Sequence, residues 1–174
     1  GAYTNDEGHI YLDGKEVSIK STFDARALGI SAVYQEFSLI NTVSVAENIY
    51  MGKLLYNNLG PVPRVDWKKM NEETQKLLDS LGVKNIKPET IVGRLSVAQK
   101  QMVEIAKALS NKLKVLIMDE PTASLSDNEI ENMFQIIRDL KSKGISIIYV
   151  SHRLEELPVI CDRISVYRDG HYIK

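Results

Sequence analysis

The chain has 174 residues, 44% hydrophobic and 26% charged, with 22 Lys and Arg against 23 Asp and Glu for a formal net charge of −1. That is one domain's worth of chain with an ordinary core-forming fraction. It excludes the disordered and fibrous classes, and the even charge excludes the basic footprint of a dedicated nucleic-acid binder.

In chain order, the first third reads as short strands and turns: His9 to Leu12, a turn at Asp13-Gly14, Glu16 to Ile19, a short helix over Phe23 to Leu28, and a strand from Ile30 to Tyr34. Asp-Gly between two such runs is a hairpin signal. A Gly/Pro-rich loop from Asn57 to Pro63 precedes a helix over about Asp66 to Leu81. There Met70, Leu77, Leu78 and Leu81 share one face, Asp66 is the N-cap and Gly82 the stop. From Ser96 the helical spacing is stronger, with Met102, Ile105, Ala106 and Leu109 at i, i+3, i+4 and i+7. Met133, Ile136, Ile137 and Leu140 repeat it further on. Between and after these helices lie Val115 to Met118, Ile145 to Val150 and Ile164 to Tyr167. Apolar runs alternating with helices predict parallel strands buried on both faces of an α/β sheet. Cys161, among Val159, Ile160 and Ile164, reads as a buried inert thiol; lacking a disulfide partner, it points to a reducing compartment. No apolar run reaches the ~18 residues of a spanning helix, and the first residues carry no signal-peptide pattern.

Three motifs carry chemistry. Strand ends in open α/β sheets open onto the ligand crevice, so Asp119 and Glu120 are expected to emerge there while Val115 to Met118 stay in the core. Adjacent strand residues point to opposite faces, which would let Asp119 serve a Mg²⁺ ion and Glu120 an attacking water. A solvated acidic pair is the alternative for Asp-Glu taken alone. Leu95-Ser96-Val97-Ala98-Gln99 opens a helix whose free amides and dipole form an anion site, or simply an N-cap at Ser96. Tyr149-Val150-Ser151-His152 ends a third apolar run in a histidine, where a neutral imidazole donating one hydrogen bond suits a phosphate contact near pH 7. His9 and His171 read as surface residues.

In this order the motifs resemble the ATPase subunit of ABC transporters. Ser96-Val97-Ala98-Gln99 is similar to the family's signature, usually Leu-Ser-Gly-Gly-Gln, with Val97-Ala98 in place of two glycines. Such side chains are compatible with close phosphate approach only if the backbone needs no positive φ there. Met118-Asp119-Glu120-Pro121-Thr122 resembles the strand that ends in the catalytic acids, Val33-Tyr34-Gln35-Glu36-Phe37 the glutamine loop, and Ser151-His152 the switch histidine. Ala123-Ser124-Leu125-Ser126 puts serine where the family usually has aspartate, and Ser126 is expected instead to cap the helix starting near Asp127. Ser44-Val45-Ala46-Glu47-Asn48-Ile49, Asp66-Trp67 and Leu81-Gly82-Val83 look like the helical subdomain of sugar importers of the ribose, xylose and galactose kind, first ATPase half. Trp67 reads as an amphipathic helix residue, and Tyr3 is not the family's adenine-stacking aromatic.

The resemblance implies an α/β P-loop NTPase core over residues 1–39 and 110–174, mostly parallel in its sheet and N-terminally truncated, with a helical subdomain inserted over 40–109. It implies ATP and Mg²⁺ as cofactors, with Glu120 activating water, Asp119 and Gln35 on the metal, and His152 on the γ-phosphate. Ser96, Val97, Ala98 and Gln99 would meet ATP across a dimer. The implied partners are a transmembrane permease and a second ATPase domain, with a substrate-binding protein only indirectly and no nucleic acid, at the cytoplasmic face of the membrane. No Gly-x-x-x-x-Gly-Lys-Ser/Thr occurs: Gly14-Lys15 and Gly52-Lys53 are followed by Glu16 and Leu54. The 174 residues are therefore expected to be inactive alone. Two other readings are a non-catalytic partner module acting through the signature helix or the permease contact, and an ABC-type DNA-repair or ribosome-associated ATPase. No coiled-coil break or basic stripe supports the latter.

Overall fold

A computed structural model describes residues 7–57 and 62–173. Tyr3 and most of the Gly/Pro-rich loop lie outside the described residues. The chain opens on an antiparallel hairpin, β1 (Ile10–Leu12) and β2 (Lys15–Val17). Asp13 and Gly14 both take positive φ (51° and 73°), the backbone that a two-residue turn between twisted strands requires. A short helix α1 (Thr22–Ala27) is capped by Ser21, whose hydroxyl accepts from the Asp24 amide at 3.1 Å. It ends at Gly29, where a Cβ would stand 2.6 Å from the Lys112 carbonyl oxygen at φ +84°, so only glycine fits. Strand β3 (Ile30–Val33) follows.

The next segment holds α2 (Val45–Tyr50), the small antiparallel pair β4 (Tyr56–Asn57) and β5 (Arg64–Val65), α3 (Trp67–Ser80), a 3₁₀ turn at Val92–Arg94 and α4 (Val97–Leu109). Helices α2, α3 and α4 pack on one another, and α4 also packs on β3. Asp66 caps α3 by accepting from the Lys69 amide at 2.9 Å, and Met70, Leu78 and Leu81 are buried with Leu77 partly so. Gly82 closes the helix at φ +71°. Helix α2 is only six residues long and depends on its capping box. The Ser44 hydroxyl accepts from the Glu47 amide at 3.2 Å, and the Glu47 carboxylate accepts from the Ser44 amide at 2.8 Å. The Ser44 hydroxyl and then its amide hold the Glu47 carboxyl below its usual value. Ser44→Ala is expected to lower unfolding stability by about 1 kcal/mol, read as a lower urea midpoint with unchanged slope; an unmoved midpoint would contradict this role.

Strand β6 (Val115–Asp119), helix α5 (Asp127–Ser142), strand β7 (Ser146–Val150) and the short α6 (Leu157–Ile160) complete the α/β part. The sheet is parallel, in the order β3-β6-β7, with Val33 beside Met118 and Met118 beside Tyr149. Leu116 and Met118 on the central strand are fully buried. They belong to one core with Val33, Ile105, Met133, Ile137 and Leu140. The α/β class and parallel sheet are thus as expected.

Three expectations differ from the structure. Strand β7 is not buried on both faces: Ile147 and Tyr149 pack on the core, whereas Ile148 and Val150 are 51% and 47% exposed, because among the described residues no element covers that face. Nor does Ile164 to Tyr167 join the parallel sheet. Only β8 (Tyr167–Arg168) forms, paired antiparallel with β9 (His171–Tyr172), and Ile164 and Val166 are exposed. The cause is local: Asp169 and Gly170, at φ 51° and 78°, make the same turn as Asp13-Gly14 and fold the segment back on itself. Cys161 is half-buried rather than buried, and that burial raises its thiol pKa above the usual value, in keeping with an inert group.

Candidate functional site

Parallel pairing brings the carboxyl ends of β3, β6 and β7 to one edge, and the three loops that leave it carry Gln35, Glu120 and His152. There the Gln35 amide nitrogen lies 3.2 Å from one Glu120 carboxylate oxygen, and His152 Nδ1 lies 2.9 Å from the other. An ionised carboxylate only accepts, so Gln35 Nε2–H and His152 Nδ1–H are the donors. That assignment fixes the histidine tautomer. It also leaves the Gln35 carbonyl oxygen and the His152 Nε2 uncommitted. In this tautomer the one hydrogen bond that His152 donates goes to Glu120. A phosphate at Nε2 therefore requires the imidazolium form, in which both ring nitrogens donate.

Glu120 reaches this position by a route the alternation rule does not give. The strand ends at Asp119, and Glu120 sits at φ +47°, in the left-handed region that a side chain enters at a cost of about 1–3 kcal/mol. Its amide donates to the Val150 carbonyl at 2.9 Å, which extends the β6–β7 pairing one residue past the strand. The separation of Asp119 from Glu120 is thus made by a backbone kink. Asp119 makes no side-chain hydrogen bond or ion pair among the described residues, and the structure does not bring it into the Gln35–Glu120–His152 cluster. No group of three His, Cys, Asp or Glu among those residues is arranged to hold a metal.

Ser96 caps α4 in a capping box: its hydroxyl accepts from the Gln99 amide at 3.2 Å, and its own amide donates to Gln99 Oε1 at 3.0 Å. Neither Val97 nor Ala98 has positive φ, so the side chains that replace two glycines add no backbone strain. Their amides, at the first turn, have no acceptor among the described residues, whereas the Gln99 amide is already used. Ser96, Ala98 and Gln99 line a cleft of about 650 Å³ with Leu125 and Glu129, and no hydrogen bond joins them to Gln35, Glu120 or His152. Ser126 does precede α5, and the Glu129 carboxylate accepts from its amide at 2.9 Å and its hydroxyl at 2.7 Å.

Sequence reasoning missed Glu156, which is 4% exposed. Its carboxylate accepts from the hydroxyls of Thr122 (2.7 Å), Tyr149 (2.7 Å) and Ser151 (3.3 Å), and Arg153 lies 3.2 Å away. A glutamate in a polar loop carries no sequence signal of burial; only the fold brings three hydroxyls to it.

The sequence profile described as ABC transporter matches residues 1–123. The chain is 47% identical over 173 residues to a protein of Burkholderia ambifaria named putative ribose/galactose/methyl galactoside import ATP-binding protein 1, covering 99% of this chain and 32% of that one. It is 43% identical to the ribose import ATP-binding protein RbsA of Clostridium perfringens and 46% identical to the galactose/methyl galactoside import ATP-binding protein MglA of Clostridium tetani. Each match covers 99% of this chain and 34% of the relative. The chain thus spans about a third of the length of these relatives. Among solved structures, a nucleotide-free ATP-binding cassette from an ABC transporter superposes with TM-score 0.84 at 26% identity, over 100% of this chain and 71% of that one. The ADP conformation of another such cassette gives 0.79 at 26% identity, over 97% and 68%.

Proposed function

The chain belongs to the ABC transporter family, and on that premise we propose that it carries the water-activating and cross-dimer elements of the ATP-binding subunit of a sugar importer. One observation carries this reading: Gln35 and His152 both donate to Glu120 at the carboxyl ends of three parallel strands. Glu120, with two donors setting its orientation, is the general base or orienting group for water. The unpartnered Asp119 carboxylate and the free Gln35 carbonyl oxygen are hard donors of the kind Mg²⁺ takes, and the ion would supply charge neutralisation at the phosphates. The protonated His152 ring would link Glu120 to a phosphate oxygen. The Ser96 hydroxyl and the amides of Val97 and Ala98 would meet the phosphates of ATP held by a second domain.

The 174 residues contain no glycine-rich Lys-Ser/Thr loop, so within them nothing wraps the β- and γ-phosphates in backbone amides. Alone they are expected to show no ATP turnover. We read residues 1–39 and 110–174 as the core and 40–109 as the helical subdomain. The names of the relatives, ribose and galactose import proteins, support sugar import; a transmembrane permease as partner and a place at the cytoplasmic membrane face belong to the same reading. No described helix is long and apolar enough to cross a membrane.

Ser96→Arg in a complete subunit carrying this sequence is expected to slow turnover about a hundredfold, as loss of one preorganised donor does, with each domain's own ATP binding retained. Unchanged turnover would remove α4 from the site. The function itself is tested by ATP-driven uptake of labelled ribose or galactose into vesicles holding the subunit with its permease. Turnover without uptake of either sugar would contradict the import reading.

A further inference from the structure

Beyond the last bond of the β6–β7 pairing, from the Glu120 amide to the Val150 carbonyl, no backbone hydrogen bond joins the loop after β6 to the loop after β7 among the described residues. The two loops nevertheless hold Glu120 and His152 within 2.9 Å of each other. Besides that contact, and the Thr122 and Tyr149 hydroxyls 3.4 Å apart, the bonds that link them converge on the buried Glu156. Thr122, two residues after Glu120, donates to both Glu156 oxygens, at 2.7 and 2.9 Å. From the other side come Tyr149 and Ser151, at 2.7 and 3.3 Å, and Ser151 directly precedes His152. The Ser151 hydroxyl also accepts from the Arg153 amide at 3.0 Å, so the residues on both sides of His152 are tied down.

We propose that Glu156 is a positioning residue, whose carboxylate clamps the loop after β6 to the loop after β7 and so holds His152 on Glu120. The inference rests on the reading of Glu120 and His152 as parts of the hydrolytic site. A buried carboxylate is costly unless its oxygens are satisfied, and here three hydroxyls and the Arg153 guanidinium satisfy them. Every one of these partners donates to it here, so the arrangement suits a carboxylate. Burial, the largest influence on Tyr149, pushes its phenol well above its usual value and keeps the hydroxyl a donor. An amide at position 156 would turn one acceptor oxygen into a donor facing hydroxyls, and a bond across the loops would have to reorient or break.

The test uses the complete subunit. Glu156→Gln is expected to lower kcat about tenfold to a hundredfold, the effect of displacing a catalytic group by a fraction of an ångström to an ångström, with KM for ATP unchanged. In histidine-selective NMR the hydrogen-bonded Nδ1–H signal of His152 should weaken or vanish. Tyr149→Phe, which keeps the ring and removes one donor, should show the same pattern at smaller amplitude and covers the case in which Glu156→Gln does not fold. Wild-type kcat in either folded variant, or an unaltered His152 signal alongside reduced kcat, would overturn the proposal. Glu120→Gln separates the two levels. If that variant turns over ATP, the site reading itself fails; if it is inactive while Glu156→Gln is not, only the clamp fails.

Discussion

Glu120→Gln in a complete subunit is expected to nearly abolish turnover and to spare nucleotide binding. The substitution keeps the size of the side chain and the +47° backbone angle at no added steric cost, so the fold has no reason to change. The chemistry does change. The carboxylate accepts from Gln35 on one oxygen and from His152 on the other. A glutamine has one acceptor oxygen and presents N–H hydrogens on its other side, so one of the two donors meets another donor. Its amide also takes no proton from water, and loss of a general base costs about 10²–10⁴-fold by itself. Phosphate release under saturating Mg²⁺-ATP is the measurement for turnover, and the rise of the melting midpoint with ATP is the measurement for binding. Turnover within a few-fold of wild type would remove Glu120 from the role of base.

The largest stability loss is expected at Leu116. It lies in the central strand, pairs with Ser31 on one side and Ile147 on the other, and is fully buried. Leu116→Ala leaves a void between the sheet and the helices that cover it, and such truncations cost about 2–5 kcal/mol. Ile148→Ala supplies the contrast. The residue is on the neighbouring strand and of the same apolar class, but 51% exposed, and surface changes stay within about 0.5 kcal/mol. Urea unfolding of both variants reads the difference directly. Equal losses would mean that the face of β7 carrying Ile148 is covered in the protein as measured.

Elements set by local chemistry could be read from the sequence. Asp66, Ser96 and Ser126 precede α3, α4 and α5, Gly82 ends α3, and the apolar spacing of α5 gives Met133, Ile136, Ile137 and Leu140 as its buried face. Helix α2 is too short for any period to show. An apolar run such as Ile164 to Tyr167 does not say what it pairs with, whereas the local turn at Asp169-Gly170 decides the matter. At the site, the residue types and their order pointed to Gln35, Glu120 and His152, and the structure brings those three together. The kink at Glu120 and the burial of Glu156 could not be read. Both are products of tertiary packing, in which a strained backbone or a desolvated carboxylate is held by partners far apart in the chain.

As proposed, Glu120 orients the water while His152 holds Glu120, so the two are expected to work in turnover as one unit. The most direct measurement is single-turnover phosphate release from the complete subunit for Glu120→Gln, His152→Ala and the two combined. Groups that work as a unit are non-additive, so the double variant should be no slower than the slower single one. Multiplying losses would show that the 2.9 Å contact between them does not couple the two residues in the reaction.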